Sequence, residues 1–329
     1  MIGEKKKLFD RAWKISVIPR SKWSDTNKYS ENDAIVVSSS DYGDEALRCT
    51  FNVTSALAAY SYGDVSVYNM NHKTIQMLAS EGGRVAIEAG YKNNRGLIWQ
   101  GFIWHAYDVR ENVVDRVFTM HCVDSISVVQ ASFVFATLST PVNCGDKIEY
   151  ITQQMKLPWK TSNSLKSDTA TLTRGSVFFR DGRSIIKEEA QVRGLQVGTN
   201  QDGEMTMTDL IQDVSPDKDI VVSPDSGLIG TPTQIPKGIS FQTLLDPRIR
   251  FKIPAIRVNI RHGEIKSMPV MYGQHMQLLE PSGTYKVVYV NHTGDTRGNT
   301  WHTNVQGVVN PDMIAGIGGA GAKPTANLR

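Results

Sequence analysis

Residues 65–124 decide the fold: VSVYNM (65–70), NHKTIQMLAS (71–80), EGG (81–83), RVAIEAGY (84–91), KNNRG (92–96), LIWQGFIWHAYDVR (97–110), ENVVD (111–115) and RVFTMHCVD (116–124). In Arg84–Tyr91, Val85, Ile87 and Ala89 alternate with Arg84, Ala86 and Glu88, the period-two signature of a strand with one buried face. A different spacing marks the segment before it. Ile75, Leu78 and Ala79 fall at i, i+3 and i+4, Asn71 is placed to accept from the free amides of a first helical turn, and Gly82-Gly83 permits a left-handed termination. The stretch therefore reads strand, short helix, then three more strands.

Lys92-Asn93-Asn94-Arg95-Gly96 supplies residues that tolerate positive φ, so Leu97–Val109 is expected to return as a hairpin partner, with Gly101 available for a bulge. At about thirteen residues this strand is roughly twice the usual length. Both faces carry bulk: Trp99, Ile103 and Tyr107 on one, Phe102 and Trp104 on the other. Arg116–Val123 repeats the feature, with Val117 and Val123 on one face and Phe118, Met120 and Cys122 on the other. A sheet apolar on both sides needs two covers, another layer of the chain or a second subunit. Trp99, Phe102, Trp104, Tyr107, Phe118 and Met120 are thus candidates for layer or inter-subunit packing.

The rest of the chain sets the bounds. Its 329 residues suffice for two domains, or one large one with insertions, and 21% charged with 40% hydrophobic residues is the composition of a globular protein. A net charge of +3 gives no argument for nucleic acid. The basic start Glu4-Lys5-Lys6-Lys7 reads as a solvated end, and Leu8-Phe9-Asp10-Arg11 interrupts any signal-peptide core. No apolar run approaches the ~18 residues of a membrane span. Cys49, Cys122 and Cys144 lack paired spacing and read as reduced cytosolic thiols packed as small hydrophobes.

Along the chain, Lys14–Ile18, Ala34–Ser38, Arg48–Val53 and Val65–Tyr68 are short β runs between polar turns. Cys144–Leu157 is a helix stopped by Pro158, with Ile148, Ile151, Met155 and Tyr150 on its apolar side and Asp146 suiting its amino end. Ser162–Thr173 is polar and reads as loop, Val177-Phe178-Phe179 starts a strand, and Ser184–Val192 is a second helix capped by Ser184. From Leu195 the pattern returns to β: Leu195–Gly198, Glu204–Leu210, Asp219–Val222, Ile229–Pro232, and Arg250–Ile260, where Pro254 favours an edge or bend. Thr284–His292 and Thr300–Val309 form a late hairpin across Thr293–Asn299. The expected class is mainly β with short helices (α+β). Two tube-like antiparallel β domains, 1–136 and 196–312, flank a small α/β insertion at 137–195, and 313–329 is a Gly/Ala-rich tail.

Motifs for common enzyme chemistry are missing: no Gly-x-Ser-x-Gly elbow, no Gly-Lys-Thr phosphate loop, no His-Glu-x-x-His helix, and no cofactor is implied. His292 and His302, with Asp295, are the best candidate for a metal or acid–base cluster, if the two imidazoles face each other across the last hairpin. His121 and Cys122 are adjacent on a strand, so they point to opposite faces and cannot share a metal. Gly316, Gly318, Gly319 and Gly321 imitate a nucleotide loop without a following helix. Trp99, Trp104 and Tyr107 are an alternative stacking platform for bases or sugars, as in an OB-like or lectin-like module.

Two stretches carry a family likeness. Val65–Gly101, with Val67-Tyr68-Asn69-Met70, Lys73–Leu78, Val85–Tyr91 and Ile98–Ile103, resembles the first domain of baseplate hub proteins from contractile-tailed bacteriophages. Gly227–Pro232, Gly238-Ile239, Leu244–Pro247 and Tyr285–Trp301 are similar to the late part of those proteins. The resemblance implies a homotrimer of subunits with two tube-like β domains, a pseudo-sixfold ring related in fold to the hub part of the type VI secretion spike. It implies tail tube, central spike and baseplate wedge proteins as partners, with DNA only in passage through the lumen. Its implied place is the tail baseplate of a virion assembled in the bacterial cytoplasm. The family offers no catalytic residues to carry over. Gly316, Gly318 and Gly319 become candidates for spike contact.

Overall fold

The computed structural model describes residues 10–22, 33–39, 46–56, 61–124, 133–139, 142–155, 171–172, 174–199, 205–208, 217–235, 238–251, 255–267 and 283–309. The chain is mainly β with three short helices among the described residues. Strands β1 (Arg11–Pro19), β2 (Ile35–Ser38), β3 (Cys49–Ala56) and β4 (Tyr62–Tyr68) precede helix α1 (His72–Glu81). Strands β5 (Gly83–Tyr91), β6 (Asn94–Arg110) and β7 (Arg116–Val123) follow it. The order β2-β1-β5-β6-β7-β4-β3 is antiparallel throughout.

Period-two spacing in β5 buries Val85, Ile87 and Ala89, and in β7 it buries Phe118, Met120 and Cys122. The Asn71 side chain accepts from the Lys73 amide at 2.9 Å, which caps the amino end of α1 as the sequence predicts. Ile75 and Leu78 enter the core, but Ala79 is exposed, and Gly82 closes the helix with φ 69° and an extended ψ instead of a left-handed helical one. The β5–β6 turn is Lys92-Asn93, and neither residue uses positive φ. Register shifts in β6 lie between Ile87 and Glu88 of β5 opposite Trp99 and Leu97, and again between Ile103 and His105, so the bulges flank Gly101 instead of using it. A Cβ at Gly101 would lie 2.3 Å from the Trp99 ring and 2.5 Å from the Val123 carbonyl, which explains the glycine.

The middle of the chain has its own core. Strands β8 (Phe133–Leu138) and β9 (Val142–Asn143) lead into α2 (Cys144–Gln154), followed by β10 (Thr171–Leu172), β11 (Ser176–Asp181), α3 (Gly182–Arg193), β12 (Gln196–Thr199) and β13 (Met205–Thr208). β8 pairs with β11, and β9 with β10, so Thr171-Leu172 is strand where loop is expected. Ile148, Ile151 and Met155 of α2 pack with Ile185, Ile186 and Ala190 of α3 over Val134, Ala136 and Phe178. The α3 cap is Asp181, whose carboxylate accepts from the Ser184 amide at 2.9 Å, so the helix begins two residues before the expected Ser184. Lys147 is buried yet paired with Glu189, which also accepts from Arg193 at 2.7 Å, so the two helices are tied by a compensated charge.

The last third comprises β14 (Ile220–Val222), β15 (Leu228–Ile235), β16 (Gly238–Leu244), β17 (Arg257–Ile260), β18 (Thr284–Asp295) and β19 (Trp301–Val308). Pro254 lies outside the described residues, and the strand expected at Arg250–Ile260 is confined to β17. One edge of β18 pairs with β19. Its other edge is shared, first by β17 at Thr284–Lys286 and then by β3 at Tyr289–Asp295. The register shift between Val287 and Tyr289 sits where the partner changes, so a bulge bends the strand at the join. This join makes one thirteen-stranded sheet from elements about 240 residues apart in the chain. Trp301 completes it by donating from Nε1 to the Gly90 carbonyl at 3.2 Å while its ring meets Phe51 edge-on at 5.4 Å. Its burial in the first core gives that join a large apolar contribution, on the order of 2–3 kcal/mol.

Candidate assembly surface

The six aromatic and apolar candidates divide by burial. Trp99, Phe118 and Met120 lie in the first core, Phe102 is half-buried, and Trp104 and Tyr107 are exposed. The bulge after Ile103 accounts for Trp104: with Ile103 opposite Cys122 and His105 opposite His121, Trp104 has no cross-strand partner and stands 53% exposed. Trp99, being buried, is not available to stack a base or sugar with Trp104 and Tyr107. On the outer face of β6 and β7 the His105 and His121 rings stack at 6.2 Å, and Tyr107 tilts against both. Asp64 meets the far side of this row, its carboxylate 2.5 Å from His121 Nδ1.

A second surface was not singled out from the sequence. β8 and β11 cover α2 and α3 with one face and turn Phe133, Phe135, Val177 and Phe179 outward. Phe179 sits directly opposite Phe135, with ring centroids 4.8 Å apart, and Phe133 lies 4.9 Å from Phe135 and 5.1 Å from Phe179. Phe135 is 64% exposed and Phe179 71%. The signal was in the letters: FVFA and VFF put apolar residues on both faces of short strands, and a two-stranded sheet has only one helix layer to hide behind. Edge-to-face contact orders the three rings before anything covers them.

The proposed metal or acid–base cluster does not assemble. Register places His292 opposite Thr303 and His302 opposite Thr293, so the two imidazoles fall on opposite faces of the hairpin. His292 is fully buried, accepts or donates at Nδ1 to Thr303 Oγ1 at 2.8 Å, and burial pushes its pKa down to about 3. Asp295 is taken by Arg48 at 2.7 Å, which holds its carboxyl below the usual range. Among the described residues no group of three His, Cys, Asp or Glu side chains is arranged to hold a metal. Cys49, Cys122 and Cys144 are buried thiols outside any disulfide, and burial raises the Cys49 thiol to about 12. Gly316, Gly318 and Gly319 lie outside the described residues.

No protein-family model and no curated protein matches the chain. Solved structures do. The tail protein from Neisseria meningitidis MC58 superposes with a TM-score of 0.56 at 8% identity, over 92% of this chain and 98% of that one. The 43 kDa tail protein of prophage MuSo2 from Shewanella oneidensis gives 0.55 at 7% identity, over 82% and 94%. The E. coli c3393 protein gives 0.52 at 7% identity, over 79% and 73%; it is described as a component of the type VI secretion system with structural similarity to T4 bacteriophage tail proteins gp27 and gp5. The chain has the fold of these proteins, and at such identity the likeness is one of fold alone.

Proposed function

We propose that this chain is a structural tail protein, a baseplate hub whose three copies form a pseudo-sixfold ring between tail tube and central spike, leaving a lumen for DNA. The observation that carries the reading is the whole-length fold likeness to tail proteins, covering 92% of this chain and 98% of the Neisseria protein. The exposed Phe133/Phe135/Phe179 face supports it, because solitary proteins rarely leave three ordered rings in water. The unassembled His292, Asp295 and His302 remove the specific support for a hydrolase. A net charge of +3 suits a passage that must release phosphates.

On this reading residues 1–136 and 196–312 are the two tube-like units, 137–195 projects as an insertion, and 313–329, with Gly316, Gly318 and Gly319, meets the spike. Three apolar cores among the described residues match the number of units, though the middle one draws on Val134, Ala136, Met205 and Met207 and the first on Leu245 and Trp301, so the cores cross those bounds. Trp104 and Tyr107 become contacts between subunits. Tail tube, spike and wedge proteins are the partners, and the tail baseplate of a virion assembled in a bacterial cytoplasm is the place. Negative-stain images of the purified full chain test it: rings with a central hole are expected, and particles that remain solitary with or without tube and spike proteins overturn it.

A further inference from the structure

A cleft of about 470 Å³ opens where the start of β6, the segment leading into β14 and the residues after Asp246 meet. Four cations line it: Arg95, Lys218, Arg248 and Arg250, with Leu97 and Ile256 as apolar floor; Asp217 is the carboxylate among its described lining residues. The cations serve in two ways. Arg248 spends Nε and Nη2 on the Asp246 carboxylate, and Arg95 spends Nε on Glu88 at 3.3 Å, so both guanidinia are held in place with donors to spare. Asp246 is itself buried and also accepts from Asn94 at 3.2 Å, which fixes the hairpin against this anchor. Lys218 and Arg250 have no ion-pair partner among the described residues, so with one lining carboxylate, Asp217, the cleft keeps an excess of positive charge there.

We infer that this cleft binds an acidic peptide segment of a partner protein, carboxylates against the four cations and an apolar side chain on Leu97 and Ile256. Fixed guanidinia beside unpaired cations match paired carboxylate oxygens, and planar donors held in advance reduce the ordering cost of binding. The apolar floor and the lack of an aromatic ring among the described lining residues favour a peptide over single-stranded nucleic acid, which needs faces for its bases. The site goes beyond the ring proposed above and does not depend on it.

The test uses the full chain and three fluorescent probes: a capped peptide of four alternating Glu-Leu pairs, its Gln-Leu counterpart, and a single-stranded oligodeoxynucleotide of equal charge. Binding of the Glu-Leu peptide that weakens with salt is expected, together with a loss of at least about tenfold in Lys218→Gln/Arg250→Gln. Neither residue has an ion-pair partner among the described residues, so thermal melting should be unchanged and the loss assignable to the cleft. Arg183→Gln/Lys187→Gln, on α3, should bind as the parent does. No binding up to millimolar peptide, equal binding of the Gln-Leu probe, an unchanged affinity in the cleft variant, or tighter binding of the oligonucleotide overturns the inference. The ring is read separately by particle mass, so either idea can fail without the other.

Discussion

Arg48 and Asp295 stand 247 residues apart in the chain, and their side chains meet at 2.7 Å. The pair lies where β3 joins β18, and Arg11 adds to it by donating to the Asp295 carbonyl at 2.9 Å. Arg48 is 43% exposed, so solvent screening leaves the contact worth no more than about 1 kcal/mol. Its use is to fix register at the join, where a slip of one residue would turn Phe51 and Val53 out of the core.

Asp295→Asn should therefore lower stability by about 1 kcal/mol at neutral pH in urea titrations. The sign follows from the depressed carboxyl. Its contribution is complete above the ordinary carboxylate range and disappears as pH falls below it through the folded-state value. Parent and variant curves should converge in that acid range. A difference that persists unchanged there would place the effect elsewhere.

His292 gives a second, separable acid response. Its folded pKa is about 3, while an unfolded histidine titrates near ~6.5, so between those limits the unfolded chain takes the proton and the folded one refuses it. Stability is complete above ~6.5 and falls as pH drops toward about 3, with a limiting slope of ~1.4 kcal/mol per pH unit from this group. His292→Gln should reduce stability at neutral pH and flatten the curve between pH ~6 and ~4. An equally steep curve in the variant would contradict the assignment.

Gly101→Ala should cost about 1–3 kcal/mol, because the added methyl collides with the Trp99 ring and the Val123 carbonyl and both sit in a packed layer. Chemical denaturation reads it. A neutral result would mean that β6 shifts freely, against the bulges that pin it on either side.

How much of this was legible follows from particular residues. Arg84–Tyr91 and Arg116–Val123 were readable because their alternation matches burial on one face. The cap at Asn71 was readable because a side chain and an amide two residues apart suffice to make it. Tertiary pairing was not. His292 and His302 look like partners from spacing alone, but the turn closed by the Asp295 amide on the Thr300 carbonyl sets a register, His292 opposite Thr303, that separates them. Straight alternation places Trp104 in a packed face, and the bulge between Ile103 and His105 turns it out. The exposure of Phe135 and Phe179 is not legible, because each short run looks like core until the helices cover only the opposite face.

Phe135→Ser tests whether that face is covered in assembly. The ring is exposed in the single chain, so the melting temperature of the subunit should hardly move, whereas self-association should weaken by at least about thirtyfold if the ring is a central contact. Unchanged association would remove this face from the interface. Trp104→Ala tests the other exposed aromatic surface in the same way, with loss of association expected and gain or loss of sugar binding contradicting a packing role.

The most direct test of the central claim is the mass of the full chain by sedimentation equilibrium at micromolar concentration. Three copies of a 36.5 kDa chain predict a stable species of about 110 kDa. A solitary 36.5 kDa species that persists to tens of micromolar, with tube and spike proteins present, would contradict it.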